Sequence, residues 1–448
     1  MLTVGEAEAR AGALIDAARK AGADAADALY VGEASLGINV RLGELEDVGR
    51  SEGEEIGLRV FSGTRSASVS SSDLSDAALA ALVGRAVAMA REAPEDPHAG
   101  LAPEELLFRG NLPDFEGDDG ADPSPAALKE RALATEDAAR AVAGITNSEG
   151  ASASAGRSVI ALATSGGFCS GYTSSHYGGS ASVIAGEGGG MQRDYASHSA
   201  RHYADLDAPE AIGRLAGERT IKRLNPAKLD SGTMPIVFDP RIGGHLVGHL
   251  LGAMSGPSVA RRTSFLLGHE DEAILPEAIT IIDDPHRVRG LRSRPFDGEG
   301  VTTQRHALVD RGRVTGWLLN AAAARQLDLT TNGHAVRGVG GAPGVGATNV
   351  HMEPGALSPA ELIADIELGV YVTEMIGQGV NPVTGDYSRG ASGFLIENGQ
   401  LTRPVAEITV AGNLIDMFAK LSAANDLEHR RALNVPTLRI EGMTVAGA

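Results

Sequence analysis

The sequence predicts an α+β protein, in which an N-terminal α/β unit is followed by a β-rich C-terminal domain with a few surface helices. Four segments with helical spacing of apolar or alanine residues lie in the first half of the chain. Short alternating segments, typical of strands, recur along the chain, and Asn398-Gly399 is its strongest hairpin signal. Glycine supplies 58 of the 448 residues and aromatics only 4%, which favours strands, tight turns and small-residue contacts.

A chain of 448 residues is too long for one ordinary core, so two or three domains are expected. We predict an N-terminal α+β unit at 1–93 and a linker at 94–125, which is rich in Pro, Asp, Glu and Gly and reads as a solvated, mobile connection. A middle segment of helices and small-residue strands follows at 126–230. The C-terminal β-rich domain then takes 231–448.

Two helices and four strands are predicted in the first unit. The alanine-rich residues 4–21 form the first helix, and Leu74 to Ala90 carry the spacing of a second, which ends at Pro94. The predicted strands between them are Ala28–Val31, Leu36–Arg41, Ile56–Phe61 and Ser66–Ser70.

The middle segment combines two predicted helices with an unusual stretch of Ser, Gly and Ala. The helices are Ser124–Val142 and Ala208–Leu224. Low complexity at 145–200 is compatible with a flexible linker. Alternation in Ser158–Thr164 and Gly179–Ala185 favours strands of small residues instead.

The C-terminal half is predicted to be mostly β. A strand at Met234–Phe238 precedes a helix that begins at Pro240, and a second helix at Asn413–Ser422 is capped by Asn413. The other predicted strands are Ala278–Asp283, Gln304–Val309, Arg313–Leu319, Tyr371–Met375, Phe394–Glu397, Gln400–Pro404 and Thr437–Met443.

Composition and charge argue against several classes of protein, among them nucleic-acid-binding, disulfide-bonded and membrane-spanning proteins. The net charge of −19 argues against general nucleic-acid binding. Cys169 is the only cysteine, so no intramolecular disulfide forms, which fits a reducing cytoplasm and a structural thiol. The N-terminus does not resemble a signal peptide, and no run of about 18 apolar residues predicts a membrane span.

His245 and His249 lie four residues apart on the helix that begins at Pro240, so both side chains leave one face. This is the geometry of two zinc ligands on one turn. A hydrolytic site also needs a glutamate after the first histidine, and Leu246 occupies that position. Spacing alone favours two helix histidines without a metal. The histidines available to complete a site are His269, His286, His306, His334 and His351.

Three further segments have both a functional and an ordinary interpretation. Gly338–Gly346 is a surface loop or a mobile loop beside a binding cleft, because it lacks the ending of a phosphate loop. The charged run from Asp283 to Glu299 is solvated surface or an ion-pair cluster in a cleft, able to clasp a peptide carboxylate or a partner surface. Gly377–Gly393 is a self-bonded turn or a ligand-binding loop. Its candidate substrate-binding residues are Asn381, Asp386, Tyr387 and Arg389.

Several long segments resemble the TldD/PmbA family, and within it the PmbA branch, also called TldE. They are DPHRVRGLRSRPFDGEG, GQGVNPVTGDYSRGASGF, IENG and PVAEITVAGN, and the similarity extends along essentially the whole chain. In this family a TldD-type subunit carries a His-Glu-x-x-x-His zinc motif with a later third ligand. The PmbA-type subunit resembles it in fold and usually lacks those ligands.

The zinc motif transfers poorly to this chain. Aligned on Gly248-His249, it places His249 at the second histidine, His245 at the glutamate and Gly244 at the first histidine. The resemblance therefore implies that the first ligand and the base are both absent. Cys169 also lies too early in the chain to be the late cysteine ligand of the metal subunit.

The resemblance implies a cytoplasmic PmbA/TldE-type subunit of a TldD–TldE zinc metallopeptidase complex that processes unstructured peptides. In this interpretation the chain has no catalytic residue and binds no cofactor, and the TldD-type partner holds the zinc. Two alternatives stay open: an autonomous zinc metallopeptidase that uses His245 and His249, and a binding module of the gyrase-modulator type. The peptide, the stoichiometry and homodimer formation by the chain alone also stay open.

Overall fold

Six antiparallel strands from the first half of the chain form a single sheet. They are β1 (Ala25–Arg41), β2 (Glu44–Ser62), β3 (Arg65–Ser71), β4 (Ile145–Thr164), β5 (Cys169–Ala185) and β6 (Gln192–Ala200). The protein is described by a computed structural model that covers residues 1–270 and 272–447. The order of these strands in the sheet is β3-β2-β1-β4-β5-β6. Because β1 pairs with β4 along most of its length, segments 1–93 and 126–230 share this sheet.

Four helices cover one face of the sheet. They are α1 (Val4–Lys20), α2 (Asp76–Glu92), α3 (Pro125–Arg140) and α4 (Pro209–Lys222). Successive side chains of a strand point to opposite faces, so Tyr30 on β1 contacts the α1–α2 core and Ile38 contacts the α3–α4 core. Leu29 points the other way, into an apolar cluster with Phe168 and Phe296, and this face lies against the second half of the chain.

The four predicted helices of the first half are confirmed, and so are the strands in the Ser-, Gly- and Ala-rich stretch. The strands are longer than predicted: Ala28–Val31 and Leu36–Arg41 belong to one continuous β1, and most of β4 precedes the predicted Ser158–Thr164. Residues 44–53 of β2 were not predicted at all. Each of them is exposed, so no alternation of apolar and polar residues marks them as a strand.

The second half is built around a small closed barrel. Its strands are β7 (Gly232–Phe238), β14 (Leu368–Ile376), β15 (Asp386–Glu397), β16 (Gln400–Asn413) and β19 (Leu438–Ala446), with β17 (Leu421–Ala423) added outside β19. The order β16-β15-β14-β7-β19 closes because β16 also pairs with β19. Only the β14–β7 pair of this sheet is parallel.

A second sheet of short strands lies beside the barrel. Its members are β8 (Ile281–Asp283), β9 (His306–Asp310), β10 (Arg313–Val314), β13 (Val350–Met352) and β18 (Leu433–Asn434), in the order β10-β9-β8-β13-β18. A separate two-stranded ladder joins β11 (Ala335–Val336) to β12 (Gly344–Val345). The helices of this half are α5 (Pro240–Ala253), α6 (Gly256–Ala260), α7 (Ala321–Gln326), α8 (Pro359–Ile363) and α9 (Leu414–Ala419).

The core of the second half joins the barrel, the second sheet and α5. Leu246 and Leu250 of α5 belong to the same buried cluster as Phe238 of β7, Val372 of β14 and Val350 of β13. A helix held on its apolar side in this way presents its opposite side outward. Among the described residues, no helix has both the length and the apolar character needed to cross a bilayer.

Several predicted elements of this half are shorter than expected. Of the predicted strand Ala278–Asp283, only Ile281–Asp283 pairs in the sheet. Only Arg313–Val314 of the predicted strand Arg313–Leu319 pairs in the sheet, because the chain then turns toward the end of α5, where Leu318 N–H donates to Met254 O at 2.9 Å. The predicted helix Asn413–Ser422 stops at Ala419, since Leu421 begins β17.

The connection at 94–125 is anchored to the rest of the protein. It includes a 3₁₀ turn at Glu104–Leu106, and Leu107 and Phe115 are buried. Phe108 N–H donates to Gly300 O at 2.8 Å, and Arg289 N–H donates to Phe115 O at 2.7 Å. The prediction of a solvated, mobile linker therefore misses these contacts, which tie the segment to the C-terminal half. Other 3₁₀ turns lie at Gly188–Gly190 and Tyr203–Asp205.

Candidate functional site

The α5 helix presents the two predicted histidines on its outer side. Asp239 caps its N-terminus by accepting a hydrogen bond from Arg241 N–H at 2.8 Å, and Pro240 occupies the first turn. His245 is exposed and His249 is half-buried. The sequence-based prediction that both leave one face of this helix is confirmed.

Strand β15 places two more predicted residues against these histidines. Along its start, Asp386 and Ser388 are exposed whereas Tyr387 and Arg389 are buried, as expected from strand alternation. Arg389 Nη1 lies 3.4 Å from His245 Nδ1. The rings of His249 and Tyr387 meet edge to face, with 6.1 Å between their centroids. We call this group of His245, His249, Tyr387 and Arg389 the α5–β15 cluster.

The polar groups of the α5–β15 cluster are incompletely paired. Within the described residues, His249 Nε2 and Arg389 Nε are buried without a hydrogen-bond partner. Burial lowers the pKa of His245 and of His249, and the charge of Arg389 lowers both further, so both rings are neutral at pH 7. Burial raises the pKa of Tyr387 to about 12, so its hydroxyl keeps its proton.

The α5–β15 cluster does not fit a zinc ion. No group of three His, Cys, Asp or Glu side chains among the described residues is arranged to hold a metal. Gly244, the position that the family motif assigns to its first histidine, lies against Leu433, whose Cδ2 would be 2.8 Å from an added Cβ. The guanidinium of Arg389 beside His245 adds a positive charge that opposes a divalent cation.

The other two predicted binding residues fold their own turn. Asn381 Oδ1 accepts from Val383 N–H at 2.9 Å, and Asp386 Oδ2 accepts from Thr384 Oγ1 at 2.7 Å. Asn413 Nδ2 also donates to Asp386 Oδ1 at 3.3 Å. Asn381 and Asp386 are both exposed, so of the four candidates only Tyr387 and Arg389 face α5. A substrate contact by any of the four stays a prediction.

The remaining candidate histidines have partners elsewhere. Their contacts are Glu272 for His269, Thr303 for His286, the Gln304 carbonyl for His306, Asp283 for His334 and Arg287 for His351. His334 is 2% exposed, and its Nε2 lies 3.3 Å from Asp283 Oδ2. Both of its ring nitrogens are engaged, because Nδ1 lies 2.9 Å from Asn332 Oδ1.

The charged run from Asp283 to Glu299 lies at the contact between the two halves of the chain. Arg287 contacts His351 Nδ1 at 2.8 Å and His429 Nδ1 at 2.6 Å. Arg289 pairs with Glu116 and with Asp205, both from the first half. The run is therefore neither simple solvated surface nor a uniform ion-pair cluster.

A cleft of about 860 Å³ separates the sheet of the first half from α5. Tyr172 and Arg201 line one side, and Gly248, Gly252 and Arg292 line the other. An added Cβ at Gly248 or Gly252 would meet nothing within 4 Å, so the helix backbone is open to this space. Val345 from the predicted glycine loop also lines it.

Sequence reasoning missed a buried ion cluster between the two halves of the chain. Asp27 on β1 accepts from Arg59 Nε at 2.9 Å and pairs with Arg337, and Glu299 lies 3.9 Å from Arg59. Burial alone would raise the pKa of Asp27, but Arg337 and Arg59 hold it below its ordinary value. Only the charge types were visible in the sequence, since Glu299 and Arg337 are far along the chain from the Asp27–Arg59 pair of β1 and β2.

The glycine loop at Gly338–Gly346 packs against strand β2 where the two halves of the chain meet. Val339 O would lie 1.9 Å from a Cβ added at Gly57 on β2, so the loop backbone fits only against a glycine. Val339 also joins the apolar cluster around Phe296. The loop is therefore held between the halves of the chain, and neither predicted interpretation includes that role.

Three family profiles match the chain in order. They are described as PmbA/TldA metallopeptidase domain 1 at residues 26–90, central domain at 118–224 and C-terminal domain at 231–447. The chain belongs to the PmbA/TldD metallopeptidase family. The first two matched segments contribute to one sheet, and the third spans the barrel and the second sheet.

Relatives of known sequence are similar over nearly the whole chain. A protein named Metalloprotease PmbA from Escherichia coli O157:H7 is 39% identical over 95% of this chain and 92% of its own length. A Metalloprotease PmbA homolog from Haemophilus influenzae is 36% identical over 97% of this chain and 94% of its own. These matches support the PmbA, or TldE, branch that the sequence motifs indicated.

Solved structures share the fold. A putative modulator of DNA gyrase from Bacteroides thetaiotaomicron superposes with a TM-score of 0.92 at 29% identity, over all of both chains. TldE from Thermococcus kodakarensis superposes with a TM-score of 0.87 at 21% identity, over 98% of this chain and all of its own. At that lower identity the likeness concerns the fold alone.

Proposed function

We propose that this chain is the metal-free, PmbA/TldE-type subunit of a two-subunit zinc metallopeptidase that cleaves unstructured peptides. Its TldD-type partner would hold the zinc. The observation that carries the proposal is the α5–β15 cluster, where Arg389 lies beside the helical histidines and Gly244 is held against Leu433. Zinc hydrolysis needs three protein ligands and a base beside the bound water, and this cluster supplies two histidines and a cation.

The contribution of this subunit would be a wall of the peptide channel. The cleft beside Gly248 and Gly252 is open to helix backbone, and β6 is the end strand of its sheet. A second cleft of about 530 Å³ runs along Tyr195 to Ser199 of β6 and reaches Arg241 and Arg431. An extended peptide binds such an edge through backbone hydrogen bonds, which suits substrates of varied sequence.

A reconstitution assay tests the proposal. The chain alone should not hydrolyse an unfolded peptide, and mixing it with a TldD-type partner should give turnover. Changing the partner's motif glutamate to glutamine should abolish that turnover, while His245→Ala and His249→Ala in this chain should leave the chemical step largely intact. Chelator-sensitive cleavage by this chain alone would contradict the assignment.

One observation favours the autonomous zinc peptidase as a second candidate. His249 Nε2 is a buried nitrogen without a partner, as a free metal ligand would be. We expect well under one equivalent of zinc in protein purified without a histidine tag and dialysed. Stoichiometric zinc that is lost on His249→Ala would favour this candidate instead.

The gyrase-modulator interpretation competes with the proposed function. A solved structure of similar fold is described as a putative modulator of DNA gyrase, so a binding role without proteolysis is a defined alternative. Co-purification from the native host distinguishes them: a TldD-type protein is expected, and gyrase without it would favour the binding module. The single cysteine, Cys169, agrees with a reducing compartment.

A further inference from the structure

Arg389 is a buried cation for which the described residues supply no anion. The residue is 9% exposed, and none of the described carboxylates forms an ion pair with it. Its contact with His245 Nδ1 is long, at 3.4 Å, and its Nε is buried without a partner. A buried charge without a counter-charge is strongly unfavourable, so the missing partner is expected to come from outside the chain.

The neighbours of Arg389 supply hydrogen-bonding groups but no negative charge, and the Tyr387 hydroxyl accepts a hydrogen bond from Arg389. Arg389 donates to Nδ1 of His245, which leaves the proton of that neutral ring on Nε2. His249 Nε2 is buried and unpaired on the same side of α5. The Tyr387 hydroxyl keeps its proton, because burial raises its pKa to about 12. A buried guanidinium with uncharged neighbours and an unpaired Nε matches an anion.

The charge and shape of the cluster select the kind of anion. With both histidines neutral, the cluster carries the single positive charge of Arg389, which a monoanion cancels and a phosphate dianion would exceed. A guanidinium offers parallel N–H groups that fit the two oxygens of a carboxylate. We infer that the α5–β15 cluster is a receptor site for a carboxylate of the bound peptide, with Arg389 as its anchor.

The site is reachable from the surface of the protein. His245 is exposed and forms the outer rim of the cluster. Arg431, which is exposed and donates to the Arg241 carbonyl at 2.9 Å, is close enough for its charge to lower the pKa of His245. Arg431 also lines the cleft along β6, so a peptide lying on that edge would pass beside the rim of the cluster.

This inference deepens the proposed function, on which it rests for the nature of the ligand. The carboxylate has two sources in a peptide: its C-terminus, or the side chain of an aspartate or glutamate. Both present the same group to Arg389. The test therefore uses binding to this chain alone, which requires neither a partner nor hydrolysis.

Three labelled peptides of otherwise identical, uncharged sequence are the probes. The first ends in a free carboxylate, the second in an amide, and the third ends in an amide and carries one central glutamate. Fluorescence anisotropy with the purified chain should give tighter binding for one or both acidic peptides than for the neutral one. We expect a preference of about 10-fold or more, the effect of a charge-assisted hydrogen bond of about 1.5–3 kcal/mol.

Substitutions assign the preference to the cluster. Arg389→Met should bind all three peptides with the affinity of the neutral one, and Arg389→Lys should keep part of the preference, because it retains the charge and loses the planar fork. Arg403→Met is the matched control, since Arg403 lies on the same barrel, is exposed and pairs with Glu397 at 3.1 Å. It should behave as the wild type, and unfolding curves verify that every variant is folded.

Each outcome decides the inference. Preference for the free C-terminus alone, or for the glutamate alone, supports the site and names the source of the carboxylate. Equal binding of the three peptides, no binding of any, or a preference that survives Arg389→Met overturns it. Failure of hydrolysis in the two-subunit assay, with the carboxylate preference intact, would refute the proposed function and leave the site in place.

Discussion

Two regions of this protein bury arginine in opposite ways. Between the two halves of the chain, Arg59 and Arg337 share Asp27, and Glu299 lies nearby. In the α5–β15 cluster, Arg389 is nearly as buried and has two histidines but no carboxylate. A buried arginine that is paired with a carboxylate of its own chain stabilises the fold, whereas we infer that one without such a carboxylate binds an external anion.

The largest effect is expected from Asp27→Ala. Removal of this carboxylate leaves Arg59 and Arg337 with only the more distant Glu299, and breaking a buried ion pair costs about 3–5 kcal/mol in the free energy of unfolding. Asp365→Ala is the control, because Asp365 is exposed and its pair with Arg439 should contribute at most about 1 kcal/mol. Urea unfolding of both variants gives the comparison, and equal losses would refute it.

Glu299 should make stability depend on pH in the same region. Burial raises the pKa of Glu299 to about 7, and Asp297 adds to the rise. A raised pKa means that the folded state holds the proton more tightly, so this contribution is complete below about pH 4.5 and is lost as pH rises through 7. The shift corresponds to roughly 3 kcal/mol.

The measurement for Glu299 is a difference between two proteins. Comparing the urea unfolding of the wild type and of Glu299→Gln from pH 5 to pH 8 cancels the titration of carboxylates that do not interact with Glu299. The wild type should lose stability relative to the variant across this range, because only the wild type must ionise a buried acid. A flat difference would show that Glu299 ionises as an ordinary surface glutamate does.

Gly57→Ala tests how closely the halves of the chain approach. Its new Cβ would lie 1.9 Å from Val339 O, so the glycine loop must shift, at a cost of about 1–3 kcal/mol. Gly53→Ala on the same strand is the control, since nothing lies within 4 Å of a Cβ there. A loss of stability in both variants would point to strand β2 itself and not to the loop contact.

The smallest effect on stability is expected from Arg389→Met. Replacing an unmatched buried cation with an apolar side chain of similar length removes a desolvation cost, so the free energy of unfolding should change by no more than about 1 kcal/mol, or rise. Chemical denaturation of Arg389→Met and of Asp27→Ala under the same conditions compares the free energies of unfolding of the two variants directly. A loss as large as that of Asp27→Ala would mean that Arg389 is already matched within the protein.

Much of the local structure followed from the sequence. The spacing of alanine and leucine predicted α1 to α4, and Asp239 and Pro240 marked the start of α5. The four-residue spacing of His245 and His249 placed both on one side of that helix. The predictions were weakest where a strand is exposed on both faces, as in residues 44–53, or where small residues leave little contrast between faces, as in β4.

Only part of the candidate site could be predicted from the sequence. Asn381, Asp386, Tyr387 and Arg389 were selected together as one loop, but strand β15 separates them: alternation turns Tyr387 and Arg389 toward α5, and the other two fold the turn. The ion cluster of Asp27, Arg59 and Glu299 was not predicted, because nothing in the local pattern ties β1 to residues far along the chain.

The sequence by itself determined most of the helices, the position of many strands, the faces of these elements and the family, because periodicity and motifs are properties of neighbouring residues. The tertiary structure alone decided which charges meet. Arg389 is 144 positions from His245, and Arg337 and Glu299 reach the Asp27–Arg59 pair from the other half of the chain. These contacts exist only once β15 has its register against its neighbours and the sheet lies against the barrel. Whether a buried arginine finds a carboxylate is therefore settled by the fold, and that difference separates the structural cluster from the candidate site.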